Sequence, residues 1–490
     1  MAKIFYHAVP GDWRKEQKYA FLEKAVSIAG VKWKTLKPDA RGSWITNPTE
    51  EEFAGYLEIG SKDAKHSTQA LSIFHTYCRG ICSNNDDFVY DFDVKALTKK
   101  ARRMIEAYEV ECIRWAKAGS PKNIDDFVRV DPSVLKWIRR TKKSLARGLD
   151  VEFDEGKIRR SLYRPFTRRF HYLERIFNED VYLFPSFFPT PKQEKENRCL
   201  ISPGVGGRTP FWNFASASMV NLAFTSLDSA QCFPLFTYSE AGKDRCDNIT
   251  PKARTLFQIF YADDSITAAD IFHYVYAVLH HPAYRTRFAE NLKRDLPRIP
   301  FIGVGDEVTS LKSKTGKKLE PPHVGSYAKF YPLVAVETMQ GDNTPAHDPK
   351  ASAKLFHEFV EAGKKLADLH VNYESAKEFK LQRQENKEVK LDWRVEAMKL
   401  TKDKSAIIYN EFFTFAGIPP EVFAYKLGNR SALEWVIDQY RVSKDELGNL
   451  TSDPNRMDDE EYIVRLIGQV ITVSLETQKI IGNLPELKLT

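Results

Sequence analysis

Between Lys157 and Tyr172 the chain reads KIRRSLYRPFTRRFHY, which sets Arg159, Arg160, Arg164, Arg168 and Arg169 among Tyr163, Phe166, Phe170 and Tyr172. Guanidinium groups make bidentate contacts with phosphates and guanine edges, and rings stack on exposed bases. The interleaving therefore fits a flat, negatively charged ligand such as nucleic acid. The plainer alternative is that the rings are core and the arginines line a solvated strand face. A second basic stretch, expected as a helix over Pro132–Arg147, carries Lys136, Arg139, Arg140, Lys142, Lys143 and Arg147 and no acid. Together the two clusters favour a nucleic-acid surface, and Arg139, Arg140 and Lys143 join the hairpin arginines as candidate contacts. A membrane surface fits less well, because no amphipathic apolar stripe accompanies the charge.

Other chemistries find little support. No GxxxxGK(S/T) phosphate loop occurs, and Lys314-Thr315-Gly316-Lys317-Lys318 reads as a basic loop. The glycine-rich Ile201–Gly207 does not join a strand to a helix and reads as a turn. An amino-group DNA methyltransferase needs an (N/D/S)PP(Y/F/W) loop to hold the target amine. The nearest approach, Glu320-Pro321-Pro322-His323, is wrong at both ends. His280 and His281 precede Pro282 without a matching acid or cysteine, so they mark a helix end rather than a metal site. The cysteines at 78, 82, 112, 199, 232 and 246 have no C-x-x-C spacing and read as reduced thiols. No catalytic residue and no metal ligand is assigned.

A length of 490 residues exceeds one comfortable core, so two to four lobes are expected. With 42% hydrophobic and 28% charged residues the composition is that of a globular protein, and the net charge of +7 permits a polyanionic partner without requiring one. No 18-residue apolar run spans a bilayer and the start lacks the pattern of a signal peptide, so a cytoplasmic protein is expected.

The elements that must position the basic clusters follow from periodicity. Lys3–Val9 reads as a strand, Arg14–Ala29 as a helix with Tyr19, Leu22, Ala25 and Val26 on one face, and Val31–Leu36 as a strand. Such a β-α-β unit belongs in a larger parallel or mixed sheet, so the chain reads as starting at the tail of a domain. Asp87–Phe92 is strand-like and precedes a helix from Val94 to Lys117. Gly156–Thr237 is β-rich. Thr267–Leu296 is helical, with Thr267 and Asp270 as a capping box and Ile271, Val275, Val278 and Leu279 as the buried stripe. A loop or linker is expected over 303–350 and a helix over Ala351–Leu369. Ser431 and Glu434 cap the next helix, and a last long helix carries the stripe Ile463, Leu466, Ile467, Val470, Val473 and Ile480. The fold class is mixed α/β (α+β). It divides into an α/β remnant at 1–48, a mainly helical connector at 49–155, a β-rich then helical recognition region at 156–302, the linker, and a helical C-terminal lobe at 351–490.

Several segments resemble, in order and over nearly the whole chain, the C-terminal specificity region of bacterial type ISP single-polypeptide restriction-modification enzymes. They include KIFYHAV (3–9), TYCRGICSNNDDFVYDF (76–92), SLYRPFTRRFHY (161–172), VYLFPSFFPTP (181–191) and DSAQCFPLFTY (228–238). Further on come DIFHYVYAVLHHPAYRTRFAENLKRDLPRIP (270–300), LGNRSALEWVIDQYRV (427–442) and YIVRLIGQVITVSLETQKI (462–480). Complete members of the family combine a nuclease, a helicase-type ATPase, an adenine methyltransferase and a target-recognition domain. The resemblance implies that this chain supplies the recognition part, after the closing strands and helix of a methyltransferase-like sheet. It implies no cofactor for this chain, with S-adenosyl-methionine, ATP and Mg²⁺ needed only by the complete enzyme.

Carried over residue by residue, Arg79-Gly80 with Ser83-Asn84-Asn85-Asp86 resembles the element joining methyltransferase to recognition domain, beside the flipped base. Tyr163, Arg164, Arg168 and Arg169 resemble the early recognition strand pair. Asp228, Ser229 and Gln231 offer short polar groups of the kind that read base edges. Asn429 and Arg430 match a family motif, and the Ser431 cap beside them makes a structural turn an equal alternative. The expected partners are double-stranded DNA and the methyltransferase, helicase and nuclease domains of the same polypeptide or operon. The competing hypotheses are a methyltransferase subunit that needs a partner to supply the donor site, and a basic scaffold for RNA or protein.

Overall fold

The computed structural model describes residues 3–489 apart from 11–12, 39–43, 45–48, 67–70, 120–122, 130, 132, 227, 240–241, 304–347, 445–447, 449 and 488. The architecture is mixed α/β, with several small sheets separated by helices.

Two four-stranded sheets carry the middle of the chain. In the first, the order is Met219–Val220, Ile158–Arg164, Thr167–Tyr172, Tyr90–Asp91. Its centre is an antiparallel hairpin that turns at Pro165 and Phe166, with Phe166 in the left-handed region at φ 56°. In the second, the order is Cys78–Arg79, Ala230–Pro234, Cys199–Pro203, Phe214–Ser216. All five residues of Cys199–Pro203 are buried, as befits a central strand covered on both faces.

The helix Val94–Lys117 matches the expected span, and Asp93 caps it by accepting from the Ala96 N–H at 2.7 Å. Its stripe of Leu97, Ala101, Met104, Ile105 and Tyr108 is buried in a hydrophobic cluster that reaches Phe177, across the expected boundary at 155. A second cluster joins residues 53–77 to the helix Ala268–His280, and a third interleaves residues 162–232 with 373–473. The Thr267–Asp270 and Ser431–Glu434 capping boxes are both present. His281 closes one helix and caps the next, since its Nδ1 accepts from Ala283 N–H at 3.1 Å.

Three local expectations change, and a fourth falls outside the described residues. The first strand pair, Ile4–Tyr6 with Lys34–Leu36, is antiparallel, and a 3₁₀ turn at Ile28–Gly30 stands between the helix Lys15–Ala25 and the second strand. No residue of that helix is buried, and the stripe positions Leu22 and Val26 are exposed at 61% and 89%. The acid-free helix begins at Arg139 rather than Pro132. The Asp131 carboxylate accepts from Ser133 N–H and its hydroxyl, and the Trp137 indole donates to Arg129 O, which holds that stretch in a turn. Asp86–Val89 is a short helix, and the strand is confined to Tyr90–Asp91. The expected 303–350 linker lies, over 304–347, outside the described residues, together with the Lys314–Lys318 and Glu320–His323 stretches, and a helix starts at Pro349.

The helices Ala268–His280 and Pro349–Val371 cross at Gly363, where a Cβ would run into the His273 backbone carbonyl. Alanine at an exposed helical site gains about 1 kcal/mol over glycine in helix propensity. Here the overlap is with backbone, so Gly363→Ala is expected to destabilise by about 1–3 kcal/mol. Urea unfolding checks this, and an unchanged or raised midpoint would refute it.

Candidate nucleic-acid interface

The arginine hairpin turns its rings inward. Phe166 is wholly buried and meets Phe214, Tyr373 and Tyr425 edge-on, and Tyr163 and Tyr172 are buried as well. Most of its guanidiniums are engaged within the protein. Arg159 is buried, pairs with Glu194 and donates to the carbonyls of Phe188 and Pro189. Arg168 pairs with Glu374 at 3.0 Å and donates to Val371 O at 2.6 Å. Arg169 lies over the rings of Phe92 and Tyr163, at 4.4 and 4.2 Å, and burial lowers its pKa. Arg164 is half-buried and donates to Asn221 Oδ1 at 3.0 Å and to Tyr163 O. Arg160 is exposed, 3.9 Å from Glu374. The expectation of rings stacking on bases thus meets a correction: Tyr163, Phe166 and Tyr172 are core, and Phe170 is half-buried beside Arg160. Burial also pushes the Tyr163 phenol up to about 12, and it donates to Asp86 at 2.8 Å.

A different set of predicted residues comes together around the segment from Cys78 to Asp86. Arg79 faces Gln231 across neighbouring antiparallel strands, so the two side chains share a face, and Ser229 lies on that face two residues before Gln231. Arg79 also lies beside the Tyr182 phenol. At Gly80 a Cβ would sit 2.7 Å from Asn221 O, so only glycine lets the chain pass this close. Cys82 then exchanges backbone hydrogen bonds with Asp180, both at 2.9 Å. Asn84 follows in the left-handed region at φ 50°, exposed at the tip, whereas Asn85 is buried and donates to Phe177 O at 3.2 Å.

Glu179, next to Asp180, ties the basic helix to this tip. Its carboxylate pairs with Arg139 and accepts from Arg140 N–H at 3.3 Å. The first of these hydrogen bonds raises the Arg139 pKa. Arg139, Arg140 and Lys143 are all exposed. Arg79 neighbours both Gln231 and Tyr182, and the backbone pairing of Cys82–Ser83 with Glu179–Asp180 brings the segment that ends at Asn84 beside the carboxylate that holds Arg139 and Arg140. Arg164 adjoins it through Asn221, on whose backbone Gly80 packs.

Asp228 does not present its carboxylate to this surface. It is buried and accepts from the N–H groups of Arg208 and Thr209, at 2.8 and 3.1 Å, and from the Thr209 hydroxyl. That clamp holds the turn after Pro203, where Gly206 N–H donates to Lys293 O at 2.8 Å, Gly204 packs against Ser229 and Gln231, and the exposed Arg208 lies with its Nε 3.7 Å from Asp228. Arg208 and Tyr182 were missed. The clue to Arg208 was the glycine-rich turn itself, which carries a basic residue at its end. Asn429 is exposed on a hairpin turn, and Arg430 pairs with Asp438 at 2.6 Å and lies over Trp435.

Among the described residues no group of three His, Cys, Asp or Glu side chains could hold a metal, and the six cysteines are free. No helix among them is long and apolar enough to cross a membrane.

The family model of the type ISP C-terminal specificity domain matches residues 72–353 and 349–466. A nuclease-deletion mutant of the type ISP restriction-modification enzyme LlaGI, solved with a DNA substrate mimic, is 29% identical with a TM-score of 0.72. The match covers 97% of this chain and 38% of that one. The DrdV–DNA complex is 28% identical with a TM-score of 0.72, covering 99% and 43%. The ATP-dependent type ISP enzyme LlaBIII bound to DNA shares the fold at 22% identity and a TM-score of 0.71, covering 97% and 28%. The chain thus spans less than half the length of each of these structures. No curated protein matches it.

Proposed function

Because the chain belongs to the type ISP C-terminal specificity domain family, we propose that it recognises a specific sequence in double-stranded DNA for a type ISP restriction-modification system. The observation that carries this reading is the pairing of Arg79 with Gln231 across two strands, with Asn84, Arg139 and Arg140 exposed on the neighbouring segments that Glu179 ties together. Arginine and glutamine are the side chains that bind guanine and adenine edges bidentately in the major groove. Arg140, Lys143, Arg160 and Arg208 supply charge for phosphates, which sets register without reading sequence.

In this reading the chain performs no chemical step of its own. It clamps the duplex against a methyltransferase face, and its groove contacts offset the few kcal/mol needed to flip an adenine. The exposed apolar side chains of the N-terminal helix, Tyr19, Leu22 and Val26, belong against the rest of that methyltransferase sheet. Adenine methylation, restriction and the use of S-adenosyl-methionine, ATP and Mg²⁺ fall to the other domains of the polypeptide or operon, in the cytoplasm.

The test is fluorescence anisotropy of a labelled duplex against salt concentration. Neutralising about five phosphates predicts a slope of log K on log[salt] of roughly −4.5 and an affinity loss of roughly 500-fold between 50 and 200 mM salt. Arg140→Glu and Lys143→Glu should each flatten the slope by about one, whereas Arg79→Ala should relax specificity. No duplex binding at low salt, or a slope near zero, would refute the proposal.

A further inference from the structure

Between the middle of the chain and its C-terminal part lies a pocket of about 240 Å³, lined in part by Phe211, Arg285, Tyr425, Lys426, Gly428 and Asn429. Arg285 stands on the helix Pro282–Arg287. Its Nε donates to Leu279 O at 2.6 Å and its Nη2 to Asn213 Oδ1. Among the described residues nothing accepts from Nη1, and no carboxylate pairs with the guanidinium.

The groups that face Arg285 cannot balance its charge. They are the phenols of Tyr276 and Tyr425 and the imidazoles of His280 and His370. Burial, with Arg285 itself, drives both imidazoles down, His370 to about 3, so both are neutral at pH 7. Burial draws the guanidinium down to about 10, which still leaves it charged. The side chain is half-buried at the pocket wall, where a positive charge without a counter-charge draws an anion. The same pocket holds a second defect, since the Tyr425 hydroxyl is buried with no hydrogen-bond partner.

One ligand would serve both the unpaired guanidinium and the unpartnered hydroxyl. An oxyanion in the pocket accepts from Arg285 Nη1 and from the Tyr425 hydroxyl, with the Lys426 ammonium and the Asn429 amide at the rim. Gly428, at φ 66°, forms the turn that brings these two residues to it. Donors from several directions suit a tetrahedral anion better than a planar carboxylate, and the volume leaves room for an ester substituent. We propose that this pocket binds a phosphate-class oxyanion, held by Arg285, Tyr425 and Lys426. The source is either a backbone phosphodiester of the bound duplex or a free phosphate.

The experiment replaces chloride by inorganic phosphate at fixed ionic strength and follows Tm of the full chain. A saturable rise in Tm is expected. Tyr425→Phe, which removes only the unpartnered hydroxyl, should leave the phosphate-free Tm unchanged or raised and weaken phosphate roughly tenfold. Lys426→Ala should weaken it as well. If phosphate displaces duplex and Tyr425→Phe weakens both, the anion is a DNA phosphate. If duplex binding ignores both changes, the anion is a free phosphate. No saturable response to phosphate, or an undiminished one in both variants, would overturn the proposal whatever the duplex does.

Discussion

Arg159→Ala is expected to cost roughly 3–5 kcal/mol of folding stability at pH 7, while the folded variant keeps its duplex affinity. Arg159 is only 7% exposed, and its guanidinium serves the Glu194 carboxylate and two backbone carbonyls at once. Burial already raises the Glu194 pKa, and Arg159 is the main force pulling it back down. Truncating the arginine leaves a half-sequestered carboxylate and two carbonyls without a donor. Arg159→Met combined with Glu194→Gln removes both charges and should recover much of the loss, because a buried pair is worth far less than its broken half costs. Urea unfolding of the single and double variants checks this. A single variant as stable as the parent but unable to bind duplex would return Arg159 to the interface.

Acid should destabilise the protein well before its carboxylates titrate. Burial holds His171 at about 4 and His370 at about 3, and drives His280 well below its ordinary range. Each imidazole is neutral in the folded state and takes up a proton on unfolding, so the unfolded chain binds more protons below pH 6.5. Stability is therefore full above pH 6.5 and is lost as pH falls from there toward 4. At pH 5 His171 and His370 each remove about 2 kcal/mol and His280 adds to the loss, a large share of a typical stability. Urea midpoints at pH 7.5 and 5.0 measure the loss, and His370→Gln should shrink it. A midpoint that does not move across this range would show that the three rings are not buried as neutral groups.

The strongly periodic elements were legible in the sequence. The helix from Val94 to Lys117, the Thr267–Asp270 and Ser431–Glu434 boxes and the last helix all appear where spacing and caps place them. The boundaries that moved did so where side chains compete for backbone groups, as Asp131 does before the basic helix. The candidate site was harder to read. Interleaved arginines and rings look the same in sequence whether the guanidiniums face DNA or reach back to Glu194 and Glu374, which come from 35 and 206 residues further along. Arg79 and Gln231 face each other only because two distant strands pair, a long-range fact that no local pattern records. Asp228 has the chemistry of a base reader but is committed to a turn that the nearby glycines require.

The cluster that interleaves residues 162–232 with 373–473 has an evolutionary corollary. A crossover near residue 350 would leave Phe166, Phe214 and Phe224 facing a foreign Tyr373, Tyr425 and Ile467, two half-cores selected for other partners. Viable chimaeras should therefore inherit this region as a block, and diversification within it should proceed by surface substitution around Arg79 and Gln231.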